Sequence, residues 1–203
     1  MDQRTDEWFQ ARLGKVTASR VADVMAKTKT GYSASRDNYM AQLIVERMTG
    51  KPAESFSNAA MEWGTAQEPF ARAAYEVAQS VMVEEVGFVQ HPSIEQAGAS
   101  PDGLVGDDGL VEIKCPNTAT HIETLLSQSV PAKYLPQIQW QLACTNRSWC
   151  DFVSFDSRMP EGAQLFVKQV TIDRDYIAQM EQEVNKFLSE VDQKLSQLRS
   201  IIK

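Results

Sequence analysis

"SPDGLVGDDGLVEIKCP", residues 100–116, places Asp102, Asp107, Asp108, Glu112 and Lys114 in a stretch that is otherwise mostly small or apolar. The stretch reads as two strands joined by a turn. Glu112 and Lys114 fall inside its apolar run, where a strand does not normally accept charge. In an extended "GLVEIKC" (109–115), Leu110, Glu112 and Lys114 share one face, and Val111, Ile113 and Cys115 the other. A type I turn with Gly109 left-handed predicts a three-residue loop from Asp107 to Gly109. Gly106 then faces Leu110 and Asp102 faces Lys114, with Glu112 a diagonal neighbour of Asp102 at roughly 7–8 Å. A two-residue loop would put Asp102 on the opposite face. Asp107 and Asp108 are explained as turn residues.

Two carboxylates that converge on one point repel unless a positive charge lies between them. Hard oxygen ligands with no His or Cys in the set favour Mg²⁺ or Mn²⁺ over zinc. A lysine beside such an ion can orient or activate a water, which is equipment for metal-assisted hydrolysis of a phosphodiester. The competing reading is a surface hairpin with an incidental Glu/Lys pair.

The rest of the chain sets the frame. Its 203 residues, 43% hydrophobic and 23% charged, suit one soluble domain with a real core. No stretch approaches the ~20 apolar residues of a membrane span, and the polar start "MDQRTDEWFQ" does not read as a signal peptide. Three cysteines, Cys115, Cys144 and Cys150, form no C-x-x-C pair, so the expected compartment is the reducing cytoplasm. Net charge is −7, unevenly spread: residues 1–51 carry nine Lys/Arg against six Asp/Glu, and residues 52–113 carry one against eleven. A local basic groove can still bind nucleic acid on an acidic protein.

Helical patterns are read at "DEWFQARLG", "TASRVADVMAK", "SRDNYMAQLIVERMTG", "EPFARAAYEVAQ" with Pro69 in its first turn, and "YLPQIQWQLACT" starting near Pro136. An amphipathic helix is expected over about 173–203. Strands are read at "VMVEEVGFVQ", "QAGASPDGLV", "GLVEIKC", "CDFVSFD" and "QLFVKQVTI". The expected fold is a single α/β domain, 1–203, with a central mixed sheet flanked by helices.

Taken in order, "EWFQARLGKVTAS", "MEWGTAQEPFARAAYE", "GASPDGLV", "VEIKCP" and "YLPQIQWQLACT" resemble the YqaJ-type viral recombinase nucleases, the phage lambda exonuclease family, within the restriction-endonuclease-like PD-(D/E)xK superfamily. The resemblance implies a 5′→3′ exonuclease that digests one strand of duplex DNA from its ends to mononucleotides. It also implies Mg²⁺, a homotrimer ring and a single-strand annealing protein as partner. Residue by residue, Asp102 and Glu112 match metal ligands, with the backbone carbonyl of Ile113 as a third. Lys114, Glu68 and Gln137 match the catalytic lysine, an additional acid and an active-site glutamine. Arg12, Thr17, Ser19 and Ser100 match residues that hold a terminal 5′-phosphate, and Met61 falls at an apolar wedge that parts the strands.

Each has a plainer explanation. Thr17 and Ser19 are good helix caps, Glu68 suits a helix dipole, and Gln137 could be a surface amide. Trp63, Trp140 and Trp149 read as core, and His91 and His121 have no partner motif. The rival functions are an endonuclease or branch-cutting enzyme with the same hairpin, and a catalytically idle DNA-binding module.

Overall fold

The protein is described by a computed structural model covering residues 2–53 and 58–202. In chain order the elements are α1 (Asp6–Arg12), β1 (Val16–Thr17), α2 (Val21–Met25), β2 (Lys27–Thr28), β3 (Gly31–Tyr32), α3 (Ala34–Thr49), α4 (Ala59–Gln79), β4 (Val83–Glu84) and β5 (Val89–Gln90). There follow β6 (Ala97–Ala99), β7 (Gly103–Val105), β8 (Gly109–Lys114), α5 (Thr118–Ser127), α6 (Leu135–Thr145), β9 (Trp149–Phe155), β10 (Leu165–Thr171) and α7 (Arg174–Ile201).

The main sheet has the order β10-β9-β8-β7-β4, and its β8–β9 pair is parallel while the others are antiparallel. A smaller sheet, β1-β6-β5, is also mixed, and β2-β3 is a separate ribbon. This is the expected α/β architecture, with the strands divided among three sheets.

The alternation along β8 fixes the layers. Val111 and Ile113 join Val153 and Phe155 under α4, packed against Ala71 and Tyr75. Leu110, with Cys150 and Phe152 of β9, faces α6 through Ile138 and Leu142. Glu112 shares the Leu110 face and so lies beneath α6. A third cluster joins the small sheet to α2, α3, α6 and α7. From α7 it takes Met180, Val184, Phe187, Leu188, Val191 and Leu195, so the apolar stripe of this helix is packed on the domain. Lys203 of the expected helix lies outside the described residues.

The structure corrects three local expectations. The turn between β7 and β8 is Gly106–Asp108, with Gly106 left-handed at φ 54 and Val105 opposite Gly109. Gly109 belongs to the strand because it lies against Trp149, where a Cβ would come within 2.1 Å of the indole. The register moves by one pair, so parity is kept and Asp102 continues the line opposite Glu112 rather than Lys114.

Helix α4 starts at Ala59, capped by the Asn58 side chain, and runs through Pro69. The carbonyl that Pro69 leaves without a helical donor belongs to Thr65, an exposed residue open to water. Finally, "TASRVADVMAK" opens as strand β1 and a 3₁₀ turn, Ala18–Arg20, before the short α2.

Candidate active site

Glu112 is 1% exposed, in the middle of the sheet. Its carboxylate is fully engaged: Gln137 Nε2 donates to Oε1 and Gln141 Nε2 to Oε2, both at 2.6 Å, and the Lys114 ammonium pairs with Oε1. Gln137 and Gln141 stand one turn apart on α6, which places both amides over one carboxylate. Asp102, just before β7, accepts the Ile113 backbone N–H at 2.7 Å. Burial raises its pKa well above the ordinary carboxylate range, and the charges of Glu112 and Glu68 add to that. Lys114 and the Ile113 N–H act in the opposite sense. Burial alone would lower the Lys114 pKa, but Glu112 and Asp102 outweigh it and raise the pKa, so the ammonium stays charged.

Asp102, Ile113, Lys114 and Glu68 line one cleft of about 520 Å³, together with Tyr134, Arg4 and Met61. Glu68 enters it already paired, with Arg4 at 2.8 Å on Oε2 and Arg72 at 3.0 Å on Oε1. The donors that could hold a cation are the Asp102 and Glu112 carboxylates and the Ile113 carbonyl. Among the described residues no group of three or more His, Cys, Asp or Glu side chains forms a ready-made metal cage. A two-carboxylate set suits Mg²⁺, which keeps several waters and completes its shell with substrate phosphate. The upward pressure on Asp102 from Glu112 and Glu68 is the excess of negative charge that such a cation would relieve.

A second cleft, about 350 Å³, is lined by Arg12, Lys15, Thr17, Ser19 and Arg20, and again by Met61. Arg12 lies 4.0 Å over the Trp8 ring and donates to Ser100 Oγ at 3.2 Å; Trp8 Nε1 donates to the same oxygen. Ser100 therefore supports the arginine and stands outside the lining residues. Thr17 precedes the 3₁₀ turn but its hydroxyl makes no capping bond; it lies 3.4 Å from Ser19 Oγ. The simple capping explanation for Thr17 is thus removed, and its hydroxyl and that of Ser19 sit together at the cleft. Met61 is 54% exposed and belongs to both clefts.

Other residues take structural places. His121 is buried between Ser154 Oγ and the Ala163 carbonyl. His91 stacks on the buried Trp140, and burial lowers its pKa. Trp149 and Trp63 are partly buried, the latter beneath Arg158 at 4.4 Å. Asp107 and Asp108 sit in the exposed turn. Gln141 carries a single signal in the sequence, the Q-x-x-x-Q spacing from Gln137, and was not among the expected site residues.

Comparison with known proteins agrees with this layout. The chain matches crystal structures of LHK-Exo, an alkaline exonuclease from Laribacter hongkongensis, at 54% identity over 97% of each chain. The TM-scores are 0.91 for the complex with dAMP and 0.90 for a second structure. A phage-related exonuclease from Haemophilus somnus, 15% identical, shares the fold at TM-score 0.74 over 91% of this chain and 96% of its own. An uncharacterised protein of Acanthamoeba polyphaga mimivirus is 25% identical over 166 residues, 75% of this chain; that match spans only 29% of the viral protein. Residues 7–148 match the model of the YqaJ-like viral recombinase domain, a span that takes in the lining of both clefts except Arg4, and the chain belongs to that family.

Proposed function

We propose that the protein is a divalent-metal-dependent 5′→3′ exonuclease that degrades one strand of duplex DNA from its ends and leaves a 3′ single-stranded overhang for recombination. The observation that carries this reading is the sharing of Met61 between the acidic cleft and the cationic cleft. An acidic cleft alone would serve any nuclease of this fold. A cationic pocket one side chain away gives it an end to measure from. Family membership and the alkaline exonuclease relative support a nuclease role, and the dAMP complex of that relative supports mononucleotide release.

In this reading Asp102, Glu112 and the Ile113 carbonyl hold Mg²⁺ or Mn²⁺. The bound ion supplies charge neutralisation and polarises the phosphoryl oxygen. Lys114, kept charged beside Glu112, orients the attacking water. Gln137 holds Glu112 Oε1, and Glu68 shapes the field at the cleft. Arg12, Thr17 and Ser19, backed by Ser100, take the terminal 5′-phosphate, and Met61 parts the strands. The whole chain acts as one nuclease domain in the cytoplasm, as a homotrimer ring around DNA, and hands its product to a single-strand annealing protein.

The test is digestion of linear against covalently closed circular duplex, with and without Mg²⁺. Linear DNA should be consumed only with the metal, and the closed circle should survive. Cutting of the closed circle would favour the endonuclease reading.

A further inference from the structure

Three glutamines stand at alternate positions in "QIQWQ", residues 137–141, and the structure uses them differently. Gln139 is 5% exposed and fastens α6 to the end of the main sheet: its Nε2 donates to the Thr171 carbonyl at 2.9 Å, and its Oε1 accepts the Asp173 N–H at 2.8 Å. Both ends of that amide are spent on backbone. Gln137 is partly exposed and reaches Glu112 Oε1, the oxygen also paired with Lys114. Gln141 is fully buried and donates to Glu112 Oε2 at 2.6 Å, while its own Oε1 is buried without a hydrogen-bond partner.

That orphan carbonyl is informative. A buried amide normally finds partners for both ends, as Gln139 does. Leucine or methionine would fill the Gln141 position without an unsatisfied carbonyl. What glutamine adds is one N–H aimed at the inner oxygen of Glu112. A donor on the inner oxygen fixes the carboxylate's rotation and keeps Oε1 on the side of Lys114, which lines the cleft. Outer partners of this kind orient a ligand without touching the metal.

We infer that Gln141 is a positioning residue that locks the inner oxygen of Glu112, so that the outer oxygen is held ready for the divalent cation. The inference rests on the proposed metal site. Gln137 is partly exposed and so open to other partners, whereas Gln141 is buried and acts only through Glu112.

The experiment measures Mn²⁺ binding to the intact chain without DNA, by electron paramagnetic resonance of free Mn²⁺, for wild type, Gln141→Met, Gln139→Met and Glu112→Gln. Gln141→Met should weaken Mn²⁺ about 10–100-fold, and should shift the Mn²⁺ midpoint of DNA digestion by the same factor. Gln139→Met should lower the melting temperature and leave Mn²⁺ affinity at the wild-type value. If Gln141→Met does not fold, Gln141→Asn keeps the amide but withdraws it from the carboxylate, and the same loss is expected. Wild-type Mn²⁺ affinity in a folded Gln141 variant, with affinity lost in Glu112→Gln, overturns the inference and makes Gln141 a core fastener. Undiminished affinity in Glu112→Gln overturns the metal site itself.

Discussion

The two clefts that share Met61 are built on opposite principles. At the acidic cleft every carboxylate is held: Asp102 by a backbone N–H, Glu68 by two arginines, and the buried Glu112, next to the lining residues Ile113 and Lys114, by two amides and that lysine. In the cationic cleft the Thr17 hydroxyl lies 3.4 Å from Ser19 Oγ and also meets the Tyr39 hydroxyl, and Arg12 leans on an indole and a serine. The first is braced from the central strand β8, the start of β7 and α4; the second sits on a two-residue strand and a 3₁₀ turn. Chemistry on a phosphodiester needs ligands fixed in advance. Recognition of a chain end needs donors that are still free to bind.

The sharpest way to break this contrast is to remove a charge from the rigid cleft. Asp102→Asn and Glu112→Gln should each lower nuclease turnover by roughly 10³-fold or more, since the lost Lewis acid is worth several kcal/mol. Radiolabelled duplex assays at fixed Mg²⁺ check this; near-normal turnover in either variant would remove the metal-site assignment. Lys114→Ala comes next, with turnover down about 10²–10⁴-fold and DNA binding retained. Loss of binding together with turnover would make Lys114 a phosphate anchor.

A smaller effect is expected in the other cleft. Arg12→Ala should slow digestion of 5′-phosphorylated ends roughly 10–100-fold, the value of a charge-assisted contact. Its Mg²⁺ requirement should be unchanged. If the variant still favours phosphorylated ends by the wild-type ratio, the pocket lies elsewhere.

The smallest effect is on stability. Asp102 has a raised pKa in the metal-free protein, so the folded chain holds a proton that the unfolded chain gives up. The stability linked to that proton is present at low pH and is lost as pH rises through the folded pKa. Asp102→Asn removes the loss, and the amide oxygen can still accept the Ile113 N–H. Melting of the metal-free variant should therefore rise by a few degrees at pH 8 and change little near pH 4. An equal shift at both values would argue that charge is not the cause.

The difference between the clefts also explains what could be read before the structure. Glu112 and Lys114 announce themselves because charge inside an apolar strand breaks a pattern. The same pattern fixed the side of β8 on which they lie. The register did not follow, because the choice of Gly106 over Gly109 as the left-handed residue depends on Trp149, forty residues away in sequence. Arg12, Thr17, Ser19 and Ser100 are ordinary surface residue types; an arginine just ahead of a Thr/Ser helix start leaves capping and anion binding equally open, and the family resemblance tips the reading to phosphate. Gln141 was hidden for a different reason. Its neighbour Gln139 is the same residue type and also buried but fastens backbone, and only the side of α6 that meets Glu112 separates them. The pattern "EPFARAAYEVAQ" puts Pro69 in a first turn, where proline is tolerated; with Thr65 exposed, α4 instead starts at Ala59 and runs through it.

The central claim is that the free cleft reads a terminal phosphate for the rigid cleft to act beside. It is tested most directly by the ratio of wild-type initial rates on one linear duplex carrying either 5′-phosphate or 5′-hydroxyl ends, at fixed salt and Mg²⁺. Salt must be held constant because phosphate contacts weaken as it rises. The account predicts that phosphorylated ends are digested roughly tenfold faster or more. Equal rates on the two substrates would contradict it.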